Sequence, residues 1–365
     1  MLFFGAVTSA CSAPVAPMDA DFADAGVADA ALDLESVDSG PSPPVCAPTT
    51  FDFDEFLTRC AADVVAPVQL LDESRWPEVV FDGLQFGAVA VGSGTLHHYD
   101  TEGSPLGLVS VPDAVVARLA GVECGFAVAG VELHQFDRDL VEFGAHPSLE
   151  SAGPGPLLTW DGERFATFIG YGGLPPVTTF LARDGTVLAR TPGEWIYSPT
   201  AVVWDGAQYI VAGEGGPPGE AVTGLDRDGH RTWSTREDFT RGQVNILGTA
   251  SGFFLWGGGW VAAYDHGGAS LGPPVAFAAD SYASHDDDIV AAYVVAESDG
   301  TRSLFTQHFD ARANVVGAAR EILNASSLPL TQLHLLWAGY SYAVAFGGGY
   351  TSDEDRRVFL LRVCP

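Results

Sequence analysis

Short runs of alternating apolar and polar residues, separated by turns, fill the chain from about residue 64 onward. Residues 159–190 show the pattern most clearly, with apolar runs that end at Trp160 and then cover 165–170, 177–183 and 186–189. Two of the connections are Asp-Gly pairs, which are typical of hairpins because glycine accepts the positive φ of a tight turn. The segment therefore predicts four short antiparallel strands.

The same unit recurs along the chain at intervals of roughly 34–53 residues. The turn after the first strand aligns at Gly83, Gly121, Gly162, Gly206, Gly252, Asp286 and Gly339. The turn after the third strand aligns at residues 98–103, 135–140, 181–185, 224–229, 263–268 and 308–313. Repeats of about 40–50 residues with four strands each are typical of β-propellers, in which stacking buries faces that a single blade leaves exposed. The sequence predicts an all-β, seven-bladed propeller of four-stranded antiparallel blades.

The last repeat stops one strand short, because residues 358–365 match a third strand. Residues 61–71 precede the first blade and contain no turn of the first kind. We therefore expect this N-terminal segment to supply the missing strand and close the ring, which removes two unpaired sheet edges. The propeller is predicted to span residues 61–365.

The N-terminal region before the propeller divides into three parts. Residues 1–11 form an apolar start that ends in Thr-Ser-Ala-Cys and resembles a bacterial lipoprotein signal, which implies lipidation of Cys11; the alternative is an ordinary secretory signal. Residues 12–45 are rich in Ala, Asp and Pro and contain no basic residue, which predicts a disordered acidic tether. Residues 46–60 form a lead-in flanked by cysteines.

Composition limits the partners. The formal net charge is −30 and the chain contains 17 basic residues against 47 acidic ones. Nucleic-acid binding needs a basic surface, so it is not expected. We expect an exported monomer, either an outer-membrane or cell-surface lipoprotein or a secreted or periplasmic protein, that contacts a membrane only through a lipid at Cys11.

Four cysteines besides Cys11 remain, and none has a zinc-site spacing. Ring closure would place Cys364 at the end of the third strand of blade 7 and Cys60 before the fourth, where a disulfide would replace a covalent turn. This favours the pairs Cys60–Cys364 and Cys46–Cys124. Four cysteines allow three pairings, and Cys124 as a buried thiol is a further alternative.

Candidate ligand-binding side chains are aromatic and lie on glycine-rich or inter-blade loops of one face. Such side chains suit sugar rings or protein ligands, although they also pack between blades. The candidates are Tyr171, Trp195, Tyr197, Trp256, Trp260 and Tyr350. The function expected is non-catalytic recognition of a protein or polysaccharide; the alternative is a polysaccharide hydrolase or lyase that uses carboxylates at the rim.

No cofactor or metal is expected, and no catalytic residue is assigned. His98, His134 and His308 fall on strands and are expected to pack between blades, and the Asp-rich turns lack the ligand spacing of calcium loops. The Trp-Asp-Gly tripeptides at 160–162 and 204–206 end first strands, unlike the Trp-Asp of WD40 repeats, and no kelch or sialidase signature fits. The repeats resemble those of exported bacterial propeller lipoproteins, a group whose functions are mostly unassigned.

Overall fold

The structure, a computed structural model, describes residues 67–71, 77–90, 94–112, 118–149, 156–170, 176–193, 198–214, 220–237, 244–298, 300–324, 330–339, 341–347 and 357–363. Every regular element in these ranges is a β-strand, and the strands form seven antiparallel four-stranded sheets. The predicted seven-bladed propeller is confirmed. No helix in the described ranges is long and apolar enough to cross a membrane.

The strands follow one another blade by blade, apart from β1 (Val68–Leu71), which comes first in the chain and belongs to blade 7. Blade 1 contains β2 (Pro77–Phe81), β3 (Phe86–Ala90), β4 (Thr95–Tyr99) and β5 (Pro105–Ser110), and blade 2 contains β6 (Arg118–Val122), β7 (Gly125–Ala129), β8 (Leu133–Asp137) and β9 (Glu142–Phe143). Blade 3 contains β10 (Leu157–Trp160), β11 (Arg164–Ile169), β12 (Val177–Ala182) and β13 (Val187–Pro192), and blade 4 contains β14 (Ser198–Trp204), β15 (Tyr209–Glu214), β16 (Glu220–Leu225) and β17 (Arg231–Glu237). Blade 5 contains β18 (Asn245–Thr249), β19 (Gly252–Gly257), β20 (Trp260–Asp265) and β21 (Val275–Ala276), and blade 6 contains β22 (Ser281–His285), β23 (Asp288–Ala296), β24 (Arg302–Phe309) and β25 (Val315–Asn324). Blade 7 is completed by β26 (Thr331–Trp337), β27 (Tyr342–Gly347) and β28 (Val358–Val363).

The N-terminal strand closes the ring as expected. β1 pairs antiparallel with β28, with Val68 opposite Leu360 and Gln69 opposite Phe359. The buried phenol of Tyr99 in blade 1 donates a hydrogen bond to the carbonyl of Leu70. The two ends of the described chain are thereby fixed to each other and to blade 1.

The apolar core lies between neighbouring blades rather than inside any one of them. The clusters of buried side chains each combine residues of adjacent blades; for example, Phe254 of blade 5 packs with Tyr282 and Phe309 of blade 6. The alternation of the strands explains this arrangement, since each blade presents one set of residues to the blade before it and the other set to the blade after it. Burial of aromatic side chains therefore stabilises the ring as a whole.

Buried aspartates at the ends of first strands join one blade to the next. Asp161 accepts hydrogen bonds from the amides of Glu163 and Arg164 in its own turn, and from the hydroxyl of Tyr209 in blade 4 at 2.6 Å. Equivalent carboxylates receive a hydrogen bond from a side chain of the following blade: Asp82 from Arg138, and Asp205 from His266. The Asp-Gly turns thus act as inter-blade contacts as well as hairpin turns.

The first-turn alignment is wrong in two blades. Gly121 lies inside β6, where a Cβ would be 2.3 Å from the carbonyl oxygen of Phe81, and the turn itself is the two-residue pair Glu123-Cys124. Gly252 begins β19 instead of forming the turn. These blades use tight two-residue hairpins, whereas the Asp-Gly blades use four-residue loops, so glycine has a different role at each position.

The repeated aspartate after the third strand also has a structural role. Asp100 accepts hydrogen bonds from the amides of Glu102 and Ser104, and Asp226 and Asp310 make the same contacts two and four residues ahead. These oxygens stabilise their own turns, which agrees with the expectation that the aspartates are hairpin residues.

Candidate binding site in the central channel

The innermost strand of each blade contacts the innermost strand of the next, from β2 around to β26 and back to β2. These seven strands enclose a cavity of about 470 Å³ that is lined by residues from all of them. The lining residues come from the first and middle positions of the strands, and the aromatic residues that end several of them, such as Trp160 and Trp337, are not among them. The cavity therefore lies nearer to the ends at which the chain enters the first strands.

The channel wall is divided into polar and apolar parts. His334 of blade 7, Glu78 of blade 1 and Arg118 of blade 2 come from three consecutive blades, and we call these three residues the polar sector. The opposite wall, from blades 3 to 5, contains the apolar residues Leu157, Leu158, Ala201, Val202, Ile246 and Leu247, together with the polar residues Thr200 and Asn245. The cavity can therefore accept a ligand with one hydrogen-bonding edge and one apolar face.

An ion pair fixes part of the polar sector. Arg118 Nη1 donates to Glu78 Oε1 at 2.5 Å, and the amide of Leu119 donates to Glu78 Oε2 at 2.7 Å. The side chain of Arg118 is 41% exposed and that of Glu78 is 21% exposed. Both oxygens of Glu78 are thus engaged, while the accessible guanidinium of Arg118 presents further N–H donors to the channel.

His334 supplies a neutral donor and acceptor. Its side chain lines the channel. Desolvation by the surrounding protein lowers its pKa below the ordinary value of a histidine, and this effect outweighs the Glu78 carboxylate and a hydrogen bond with the backbone of Val79, both of which act to raise the pKa. The imidazole is therefore uncharged at neutral pH. A neutral imidazole both donates and accepts a hydrogen bond, which suits a hydroxyl-bearing ligand.

Asp280 immediately precedes the first strand of blade 6 and also lines the cavity. Burial raises the pKa of this carboxyl above its usual value, although a hydrogen bond from the amide of Val294, at 3.2 Å, acts in the opposite direction. Asn245 and Thr200 add neutral polar groups to the lining. The hydroxyl of Thr200 is already directed to the carbonyl of Val244 at 3.2 Å.

Two of the six predicted aromatic residues fall within the described ranges. Trp256 is half-buried, packs on Tyr282 with ring centres 4.9 Å apart, and lines the cavity. Trp260 is 45% exposed, but it lies opposite Gly257, whereas Trp256 lies opposite Val261. The two indoles therefore point to opposite faces of blade 5, and they do not form one platform. Tyr171, Trp195, Tyr197 and Tyr350 lie outside the described residues.

The cysteine predictions remain predictions. Cys124 occupies the two-residue turn between β6 and β7, is 8% exposed and has a positive φ of 65°. This is the predicted turn position. Cys11, Cys46, Cys60 and Cys364 lie outside the described residues.

The polar sector was not predicted, although the sequence contains a signal for it. Glu78 and His334 stand three residues before the end of their first strands, at the position that Leu157, Ala201 and Ile246 occupy in other blades. Polar residues at a repeat position that is otherwise apolar indicate a local function rather than packing. The mismatch between the two turn types hid this equivalence.

No protein-family model matches the sequence, and no curated protein matches it. Among solved structures, the chain is similar to one from the crystal structure of the mitotic checkpoint complex, with a TM-score of 0.56, 11% identity, and coverage of 89% of this chain and 97% of the other. It is also matched with the computationally designed Ika8 protein at a TM-score of 0.49 and 14% identity, with 81% and 99% of the two chains covered. At these identities the likeness concerns the fold alone, and the chain is a seven-bladed β-propeller.

Proposed function

We propose that this propeller is a non-catalytic binding protein that recognises a polysaccharide or a protein at the open end of its central channel. The observation that carries the proposal is the two-sided cavity, in which the polar sector faces an apolar wall. A sugar ring or a peptide side chain suits such a cavity, because each combines hydrogen-bonding groups with an apolar surface.

The same proposal places the protein outside the cytoplasm, as an outer-membrane or cell-surface lipoprotein or as a secreted or periplasmic protein. The resemblance of residues 1–11 to a lipoprotein signal and the acidic composition of residues 12–45 support it. A lipid on Cys11 would hold the propeller at a surface, and the tether would keep the channel mouth accessible to large ligands. We further propose that it acts as a monomer.

The hydrolase or lyase alternative depends on carboxylates at the rim, such as Asp353, Glu354 and Asp355, which lie outside the described residues. Within the channel, Glu78 is engaged by Arg118 and by the amide of Leu119. A carboxylate held in this way serves better to orient Arg118 than to transfer a proton. The contacts of Glu78 therefore favour binding over catalysis at this carboxylate.

A glycan and peptide array probed with the full-length chain tests the proposal. Each ligand found is then titrated by calorimetry against the wild type and against His334→Ala, Arg118→Ala and Trp256→Ala. Leu188→Ser is the matched control, since Leu188 is 54% exposed on the outer strand of blade 3. We expect each channel variant to weaken binding at least about tenfold, which corresponds to about 1.4 kcal/mol, while the control binds like the wild type.

Two outcomes would contradict the proposal. In one, the array yields ligands, but their affinities are unchanged in all three channel variants while the variants remain folded. In the other, a ligand is consumed on incubation with the wild type, as measured by new reducing ends, which would favour the hydrolase. Circular dichroism of each variant confirms that lost binding does not reflect lost folding.

A further inference from the structure

The two outer strands of blade 2 hold a cluster of potential metal ligands, whereas the polar sector lies on innermost strands. His134 Nδ1 lies 2.6 Å from Glu142 Oε1, and His146 Nδ1 lies 3.4 Å from the same oxygen. Among the described residues this is the one group of three such side chains with ligand atoms all within 4.8 Å of one another. We propose that His134, Glu142 and His146 bind a divalent transition-metal ion, with zinc as the best match.

The cluster depends on a break in the outer strand of the blade. Residues four apart on a regular strand share a face but stand roughly 13 Å apart, too far to bind one ion. Gly144, with a φ of +82°, ends β9 after only two residues and turns the chain back. The carbonyl of Pro147 then accepts a hydrogen bond from the amide of Leu133 at 3.3 Å, which brings His146 beside His134.

The backbone around this turn is fixed from outside the blade. The amide of Ala145 donates to the carbonyl of Asp184 in blade 3 at 2.6 Å, and a Cβ at Gly144 would lie 2.3 Å from that same oxygen. Glu142 is held opposite Phe136 by the β8–β9 pairing. The positions of all three ligands are therefore determined by strand pairing and by contact with the neighbouring blade.

The donor set and the spacing fit zinc. Two imidazole nitrogens and one carboxylate oxygen are a known set for zinc with an open fourth position, and bond lengths of 2.0–2.2 Å place tetrahedral ligands roughly 3.3 Å apart. The separation between Glu142 and His146 already has this value. The shorter separation between Glu142 and His134 needs a movement of about 0.7 Å, which the partly exposed Glu142 side chain allows.

His134 provides the rigid part of the site. Its side chain is only 6% exposed, and its Nε2 is buried with no hydrogen-bond partner among the described residues. The hydrogen bond to Glu142 keeps Nδ1 directed toward the site, and when zinc binds Nδ1 the ring proton moves from Nδ1 to Nε2. Glu142 and His146, each 38% exposed, leave the opposite side open to an incoming ion.

The charges around the cluster indicate a cation-binding site rather than a simple hydrogen bond between one histidine and one carboxylate. Glu142 carries a negative charge between two imidazoles, and the chain as a whole has a net charge of −30, which raises the local concentration of cations. Other described histidine–carboxylate contacts, such as His308 with Asp288 at 2.9 Å, do not include a second histidine. His308 therefore offers a matched control.

Calorimetric titration of the chelator-treated full-length chain with zinc chloride tests this inference. We expect one saturable site in the wild type, a higher melting temperature with zinc, and weaker binding as the pH falls and protons compete for the imidazoles. Glu142→Gln and His146→Ala should each lower the affinity at least about tenfold and remove the thermal shift. His308→Ala should behave like the wild type.

Cobalt(II) gives an independent readout, because tetrahedral coordination produces intense visible absorption, which should appear in the wild type and vanish in His146→Ala. Equal zinc affinity in the wild type and in His146→Ala would overturn the inference and assign the binding to other acidic or thiol groups. The absence of any saturable zinc binding would overturn it as well. Neither result bears on ligand recognition at the channel.

Discussion

The hydrogen bond between Tyr209 and Asp161 offers the sharpest test of how the blades are joined. Tyr209 is fully buried in blade 4, and its hydroxyl donates to the buried Oδ2 of Asp161 in blade 3 at 2.6 Å. Tyr209→Phe removes this one atom and keeps the ring that packs against Trp204 and Phe168. The substitution therefore isolates the inter-blade hydrogen bond from aromatic packing.

The expected loss follows from the charge of the acceptor. A hydrogen bond to an ionised group contributes about 1.5–3 kcal/mol. Asp161 keeps its contacts with the amides of Glu163 and Arg164, at 2.9 and 2.8 Å, so it is not left unpaired. We expect Tyr209→Phe to lower the free energy of unfolding by about 2 kcal/mol near neutral pH.

The pH dependence gives a second signature. Burial alone would raise the pKa of Asp161, but the hydrogen bonds from Tyr209 and from the two amides outweigh it and lower the pKa below its ordinary value of 3.8. A lowered carboxyl pKa stabilises the fold at pH values above 3.8, and this stabilisation is lost as the pH falls through the folded-state pKa. The difference between wild type and variant should thus be constant near neutrality and shrink only in acid.

Urea unfolding followed by tryptophan fluorescence measures the effect, and Tyr282→Phe is the matched control. The hydroxyl of Tyr282 is buried but has no hydrogen-bond partner among the described residues, so its removal should cost nothing or stabilise the protein. The reasoning would be refuted if Tyr209→Phe matched the wild type, or if both substitutions destabilised the protein equally.

Three further predictions concern the same ring. Hydrogen bonding to Asp205 raises the pKa of His266. The charged imidazole therefore contributes stability that is complete below pH 6.5 and is lost as the pH rises through the pKa of His266 in the folded protein. Chemical unfolding should show a larger loss of stability from His266→Gln at pH 6 than at pH 9. Gly121→Ala would place a Cβ 2.3 Å from the carbonyl oxygen of Phe81 and should lower the free energy of unfolding in urea by about 3 kcal/mol. In Gly162→Ala the Cβ has free space, and only the φ of +92° is unfavourable, at a cost of about 1–2 kcal/mol. Equal losses of stability would contradict this distinction. Leu71→Asp places a charge in the core between blades 7 and 1 and should increase hydrogen exchange in both β1 and β28; unchanged protection of β28 would argue against closure of the ring by β1.

Strand number and ring closure could be predicted from the sequence because they depend on local signals. Tight turns and alternating apolar residues recur along the chain. Blade 7 lacks a strand beside the one that begins at Val358, and the segment that ends at Leu71 pairs there. The turn types could not be predicted in the same way. Gly121 stands near the expected turn, but it is required by the close approach of blade 1, a contact between residues far apart in sequence.

The two candidate sites differ in how visible they are in the sequence. Glu78 and His334 become apparent once the first strands are aligned correctly, because the equivalent residues of other blades are apolar. The cluster of His134, Glu142 and His146 depends on the backbone turn at Gly144, and this turn is stabilised by a hydrogen bond to blade 3. The expectation that His134 packs between blades was based on its own strand, which does not reveal the chain segment that returns beside it.

Both sites occur where the molecule departs from its own repeat. The contacts that hold the ring are repeated with different donors, since the aspartates at the ends of first strands are bound by Arg138, Tyr209 or His266. Such exchange of donors keeps an inter-blade hydrogen bond at each of these three aspartates. The polar sector, by contrast, spans three consecutive blades, and the proposed zinc site is built where Gly144 turns the chain back after β9. Because a ring of equivalent blades gives a ligand no preferred position, these departures from equivalence are where specific binding can arise.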